Sequence, residues 1–150
     1  MKKEVRFRLA KHLTFLENEI KDYGFFQPLS WKEYNDDRIK RRNVERWIEN
    51  IINSSIDTAK IILNSEGRSL PDTYKDIVKN LALVTGFDEE ANEKLSRWTA
   101  LRNIISHEYL DIRWSSIKIF ISETEPLYKD FLEKAKNYLE EKIAEDPEAQ

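Results

Sequence analysis

Apolar residues recur at three- and four-residue steps through most of this chain. Val5, Leu9, Leu13, Leu16 and Ile20 form one stripe, which is amphipathic-helix spacing and predicts a helix over 3–23. Gly24 and Pro28 in "GFFQPLS" interrupt it. Ser30 and Glu33 have capping-box spacing and predict the start of a second helix, about 31–65. Its stripe runs through Val44, Trp47, Ile48, Ile51, Ile52, Ala59, Ile62 and Leu63. The charged early part, "DDRIKRRNVERW", can equally stand as a separate turn. "SEGRSLPD" (65–72) reads as a loop, and a shorter helix over about 72–85 ends at Gly86, a C-cap residue. Asp88 reads as an N-cap with Glu89 and Glu90 in the favourable first turn, and its helix runs to about Leu110. A last helical region covers about 114–143, with a kink or break expected near Glu125 because Pro126 lies inside it. The tail, 144–150, is polar and expected to fray.

These stripes need one another for burial, so the expected fold is all-α: an antiparallel four- to five-helix bundle, in one domain spanning 1–150. Composition agrees, with three glycines and four prolines in 150 residues and abundant Leu, Ile, Glu and Lys. Charged residues make up 35% while the net charge is only −3, so both signs are spread over the wet faces of helices. There is no cysteine, which excludes disulfides and thiolate chemistry. No apolar run is long enough for a membrane and "MKKEVRFRLAKHL" has no signal-peptide core, so a cytoplasmic location is expected. Neither a metal-ligand set nor a Gly-rich phosphate loop is apparent, and no cofactor is expected.

The chemistry concentrates in "RNIISHEY", residues 102–109. On a continuous helix with Arg102 at zero, Tyr109 falls at roughly −20°, Ser106 at roughly 40°, Asn103 near 100° and His107 near 140°. Leu101, Ile104 and Ile105 fall on the other side. The polar groups therefore share one broad face, and Asn103, one turn from His107, is placed to orient its imidazole. Pairing of two chains about a two-fold axis would line a groove with two Arg, two His and two Tyr. The same face would also suit an ordinary solvated helix.

At these residues the sequence resembles the HEPN superfamily, and within it the HepT-like toxins. The hallmark is an Arg, a polar residue, a short spacer and a His, here Arg102, Asn103 and His107. The HepT-like form adds a Tyr two residues on, Tyr109. "RRNVERWIENIINSSIDTAKIIL", the loop "GRSLPDTYKDIVKNLA" and "LSRWTALRNIISHEYLDI" extend the resemblance over about 38–137. The first 37 residues, with "YGFFQPLSWKEYNDD", look like a longer connection than the shortest members have.

The resemblance implies a four- or five-helix bundle acting as a homodimer that cleaves RNA without a metal. It also implies a partner, a small MntA-type nucleotidyltransferase antitoxin, which transfers AMP to the motif tyrosine, Tyr109. The residue types suit that chemistry. Histidine can take the proton of a 2′-hydroxyl or protonate a leaving 5′-oxygen near neutral pH. The arginine fork matches phosphate oxygens. On this reading His107 is the acid/base, Arg102 holds the scissile phosphate, Asn103 orients His107 or binds phosphate, and Tyr109 also touches RNA. The alternative is a non-catalytic HEPN module that binds nucleotide or RNA, or serves as a scaffold for the nucleotidyltransferase.

Other residues are candidates for RNA contact. Ser106 shares the motif face, and Arg38 and Arg42 belong to a basic cluster with Lys40, Arg41 and Arg46. Such a cluster also suits a solvated face, with Asp37 spaced to pair with Arg41. Trp114 is a candidate groove residue. Trp47 is expected in the core, Trp98 in the core or a dimer contact, and Trp31 as a packing anchor. His12, isolated on the first helix, is expected to be structural.

Overall fold

The computed structural model describes residues 1–146. Among these the chain forms α1 (Lys3–Ile20), α2 (Tyr23–Phe26), α3 (Trp31–Asp36), α4 (Arg38–Ser65), α5 (Tyr74–Asn80), α6 (Glu89–Trp98), α7 (Leu101–His107), α8 (Leu110–Glu123) and α9 (Glu125–Ala144), with a 3-10 turn at Leu81–Leu83. The all-α expectation holds. Of the tail expected to fray, residues 147–150 lie outside the described residues.

Cross-links between helices give their directions. Trp47 Nε1 donates to the Glu19 carbonyl (2.7 Å) and Ser54 Oγ to the His12 carbonyl (3.3 Å), so α1 and α4 run antiparallel. Arg6 pairs with Asp146, and Lys136 Nζ with Glu17 (2.8 Å), so α1 and α9 are antiparallel too. The apolar stripes meet in one continuous core, which includes Leu9, Leu16, Ile48, Ile62, Phe120 and Phe131. Tyr23, Trp47, Trp98 and Tyr128 surround Phe120 with ring centroids 5.6 to 6.3 Å away.

The N-terminal capping signals act as expected. Ser30 and Glu33 close a full capping box, Asp88 caps α6 through the amide of Glu90 (3.1 Å), and Pro126 sits in the first turn of α9 after a break at Thr124. Gly86 is not the C-cap expected for the helix over 72–85, because α5 ends at Asn80 and the 3-10 turn at Leu83; it adopts φ 99° in the turn beyond them, a left-handed conformation that strains any side chain.

Several boundaries differ from expectation. The helix expected over 31–65 is split at Asp37, whose carboxylate caps α4 through the amides of Ile39 and Lys40. Asp37 is thereby engaged by backbone, and Arg41 donates instead to the carbonyls of Tyr34 and Asn35 (3.3 and 3.1 Å). The connection at 24–30 contains the extra turn α2, held by buried Tyr23 and Phe26. The helix expected from Asp88 to Leu110 is interrupted twice. At Thr99–Ala100 the backbone stays near helical values, and α7 continues almost where α6 stops. At Glu108–Tyr109 the backbone is extended, with ψ 163° and 156°, so the chain re-aims before α8, which starts at Leu110 rather than about 114.

The second interruption has a packing cause. Ile105 and Trp114 are both buried, yet nine helical steps would place them on roughly opposite faces. A break between them lets both point inward.

Candidate functional site

α7 is anchored by Leu101 and Ile105, which are buried, while Asn103, Ser106 and His107 are exposed and Arg102 lies at the boundary. Four sequence candidates thus share one short helix on its solvent side. The Arg102 guanidinium lies over the ring of Tyr74, 4.9 Å from its centroid, and Lys60 Nζ lies 5.1 Å from the same centroid. A cation over a tyrosine face gains roughly 0.5–1 kcal/mol at such partly exposed positions. Three elements build this cluster. Lys60 projects from α4, Arg102 from α7, and Tyr74 is the first residue of α5, placed there by Thr73, whose hydroxyl accepts from the Asp76 amide (3.1 Å). A shallow cavity of about 430 Å³ lies here, lined in part by Asp72, Thr73, Tyr74, Lys75, Arg102 and Asn103. Among the described residues neither Lys60 nor Arg102 makes an ion pair.

Ser106 Oγ donates back to the Arg102 carbonyl (3.0 Å), so its one hydroxyl proton is engaged within the helix. His107 is the last residue of α7. Among the described residues no hydrogen bond joins it to Asn103, so the orienting contact expected from their spacing is not formed in this structure. Tyr109 is off the helix, at the N-cap of α8, and 80% exposed. The continuous-helix azimuth that aligned it with Arg102 therefore does not apply.

The turn that carries Tyr109 is held from below. In an uninterrupted helix the Glu108 carbonyl would accept from a backbone amide one turn on; here it accepts from Arg113 Nε (3.0 Å). The same guanidinium reaches Glu45 of α4 (3.3 Å), and Glu45 accepts a hydrogen bond from the buried Tyr34 hydroxyl. Burial and this carboxylate push the Tyr34 phenol above its ordinary range, so it stays the donor.

Trp114 is a correction. It is only 9% exposed and packs on Tyr34, with ring centroids 5.2 Å apart, and on Trp31 at 6.4 Å. In the single chain its ring fills an aromatic cluster under the connection. Trp31 closes the cluster from outside as the packing anchor expected, Trp47 is core, and half-buried Trp98 packs edge-on to Phe120. Arg38 and Arg42 are exposed at the start of α4, while Lys40 pairs with Glu33 and Arg46 approaches Glu49 (3.9 Å). Half-buried His12 lines a groove of about 460 Å³ with residues of α1 and α4, and none of the motif residues reaches it. A cavity of about 540 Å³, bounded by Lys94, Trp98, Glu123 and Pro126, also excludes the motif.

Sequence reasoning missed Lys60, Tyr74, Glu45 and Arg113. Each is remote in sequence from the residue it serves, or, for Arg113, falls where a continuous helix would have hidden its role.

The sequence model described as "Ribonuclease HepT-like" matches residues 16–135, further toward the N-terminus than the motifs alone reach. No curated protein matches the chain. Among solved structures, a Shewanella oneidensis HEPN toxin, tri-AMPylated and in complex with an MNT antitoxin, is similar in fold. The TM-score is 0.75 at 16% identity, over 91% of this chain and 99% of that one.

Proposed function

Since the chain belongs to the HepT-like ribonuclease family, we propose that it is a metal-independent ribonuclease toxin, active as a homodimer and neutralised when a nucleotidyltransferase antitoxin transfers AMP to Tyr109. The observation that carries the reading is the intact Arg102–Asn103–His107 set on the solvent side of α7, with Arg102 in no ion pair among the described residues.

In this mechanism the RNA 2′-oxygen attacks the adjacent phosphorus, and the bond to the 5′-oxygen breaks. One imidazole takes the 2′-hydroxyl proton and another donates a proton to the leaving 5′-oxygen. The products are a 2′,3′-cyclic phosphate and a 5′-hydroxyl. Each chain has one motif histidine, so a dimer supplies the pair. Arg102 stabilises the added negative charge on the phosphoryl oxygens, and Asn103 binds phosphate beside it. Ser106, Arg38 and Arg42 are the further RNA contacts.

Tyr109, at the N-cap and largely exposed, is open to a transferase. Its phenolic oxygen would attack the α-phosphorus of ATP and release pyrophosphate. The HEPN toxin of similar fold carries AMP and is bound to an MNT antitoxin, which supports the same partnership here. A bulky anion so close in sequence to Arg102 and His107 would compete with RNA for the site.

Cleavage of RNA in EDTA by protein whose intact mass excludes added AMP tests the reading. Wild type is expected to cleave, and Arg102→Ala and His107→Ala to lose at least about a hundredfold in rate, the scale of lost acid/base or electrostatic catalysis. No cleavage by folded, unmodified wild type would favour the non-catalytic binding module or scaffold instead.

A further inference from the structure

We infer that Lys60 and Tyr74 extend the Arg102 site into a two-cation grip on the RNA backbone, with Lys60 holding the phosphate next to the one that Arg102 holds. The inference rests on the RNA-binding part of the reading above and adds residues that the motif does not contain.

Two positive side chains converge on one tyrosine ring, at 4.9 and 5.1 Å from its centroid. They repel each other, and among the described residues no carboxylate neutralises either. Each is drawn to the ring by its own cation–π contact. Asp72 and Lys75 both border the adjoining cavity and offset one another in charge. Such a cluster fits an anion with two charged centres spaced along a chain, and a phosphodiester backbone has that form. The site is open at the surface, with Tyr74 47% exposed, so a strand can pass across it rather than end in it.

Lys60 is thus assigned to phosphate binding, and Tyr74 is a positioning residue. Its ring restrains the Arg102 guanidinium while leaving the N–H edges free for phosphate oxygens. Charge at residue 60 and aromaticity at residue 74 should matter; the Tyr74 hydroxyl should not.

The test is binding of a short oligouridylate to the His107→Ala protein, which cannot consume the probe, across a range of salt concentrations. Lys60→Gln should weaken binding and lower the slope of log affinity against log salt by about 0.7, the loss of one single-strand phosphate contact. Lys60→Arg, which keeps the charge, should retain the slope and show that the fold survives substitution. Tyr74→Leu should weaken RNA binding and, with His107 intact, lower cleavage through KM and kcat together; Tyr74→Phe should recover both. An unchanged slope in Lys60→Gln would overturn the inference even if wild type cleaves RNA. A lowered slope without cleavage by wild type would keep the binding site and reject the ribonuclease. Equal Lys60 dependence for ATP, with no RNA bound, would assign the cluster to a nucleotide and overturn the inference.

Discussion

Thr124 shows how a single hydroxyl can fix a junction. Its Oγ1 donates to the Phe120 carbonyl (2.7 Å), which uses its one proton. The contact of 2.6 Å with Tyr23 must therefore be donated by the tyrosine. Both side chains are fully buried, and the pair joins the extra turn α2 to the break between α8 and α9. Burial pushes the Tyr23 phenol far above its ordinary range, consistent with a permanent donor. Tyr23→Phe should cost about 1 kcal/mol, the net worth of one buried hydrogen bond, read from the urea midpoint with unchanged slope. Phe120, in contact with four rings, is a packing residue, and its replacement by alanine belongs in a costlier class, about 3–5 kcal/mol. At Arg102 the side chain lies over a ring and, among the described residues, pairs with no carboxylate, so its charge stays available.

Among the elements, α7 and α8 matter most. One helix would have aligned Tyr109 with Arg102, but it would also have put Ile105 and Trp114 on opposite sides. The core decides the conflict, and the break leaves Tyr109 on an exposed turn. Arg113 stabilises that turn by taking the Glu108 carbonyl while paired with Glu45. Both charged side chains are largely sheltered, so removing one leaves the other poorly solvated. Arg113→Ala should cost about 2 kcal/mol, the range of hydrogen bonds to charged groups. It should also speed hydrogen exchange at the amides of 107–110 and slow the AMP transfer proposed for Tyr109 more than Lys118→Ala, an exposed substitution further along α8. Equal exchange in both variants would show that the turn holds without Arg113.

For the whole molecule, carboxylates on α1, on α3 and at the C-cap of α4 link stability to pH. A hydrogen bond from Lys136 lowers the Glu17 pKa, hydrogen bonds from Lys40 and Ser30 lower that of Glu33, and one from Tyr138 lowers that of Glu66. Lowered folded-state values mean that these contributions are present above about pH 4.5 and fade as pH falls through the lowered values. Glu19 acts with the opposite sign, raised by burial, so its protonation relieves a cost. Three groups oppose one, and the fold should be less stable near about pH 3 than near about pH 7, as measured by urea unfolding at both. Since Glu17 and Glu33 are only half-buried and their ion pairs face solvent, high salt should shrink the difference.

Much of this protein is legible in the order of its residues. Periodicity and caps predicted the helices, because a helix reports its buried face every three or four positions and its ends through backbone groups that need partners. The Arg102–Asn103–His107–x–Tyr109 pattern marked the candidate site for the same reason: it is local. The tertiary structure decided what no local rule contains. It broke the motif helix after His107 to bury both Ile105 and Trp114, drew Trp114 into the core, and used Asp37 as a cap instead of a partner for Arg41. It brought Lys60 and Tyr74 to Arg102 from two other helices. Those outcomes depend on which faces meet across the bundle, and that competition is settled only when all the helices pack at once.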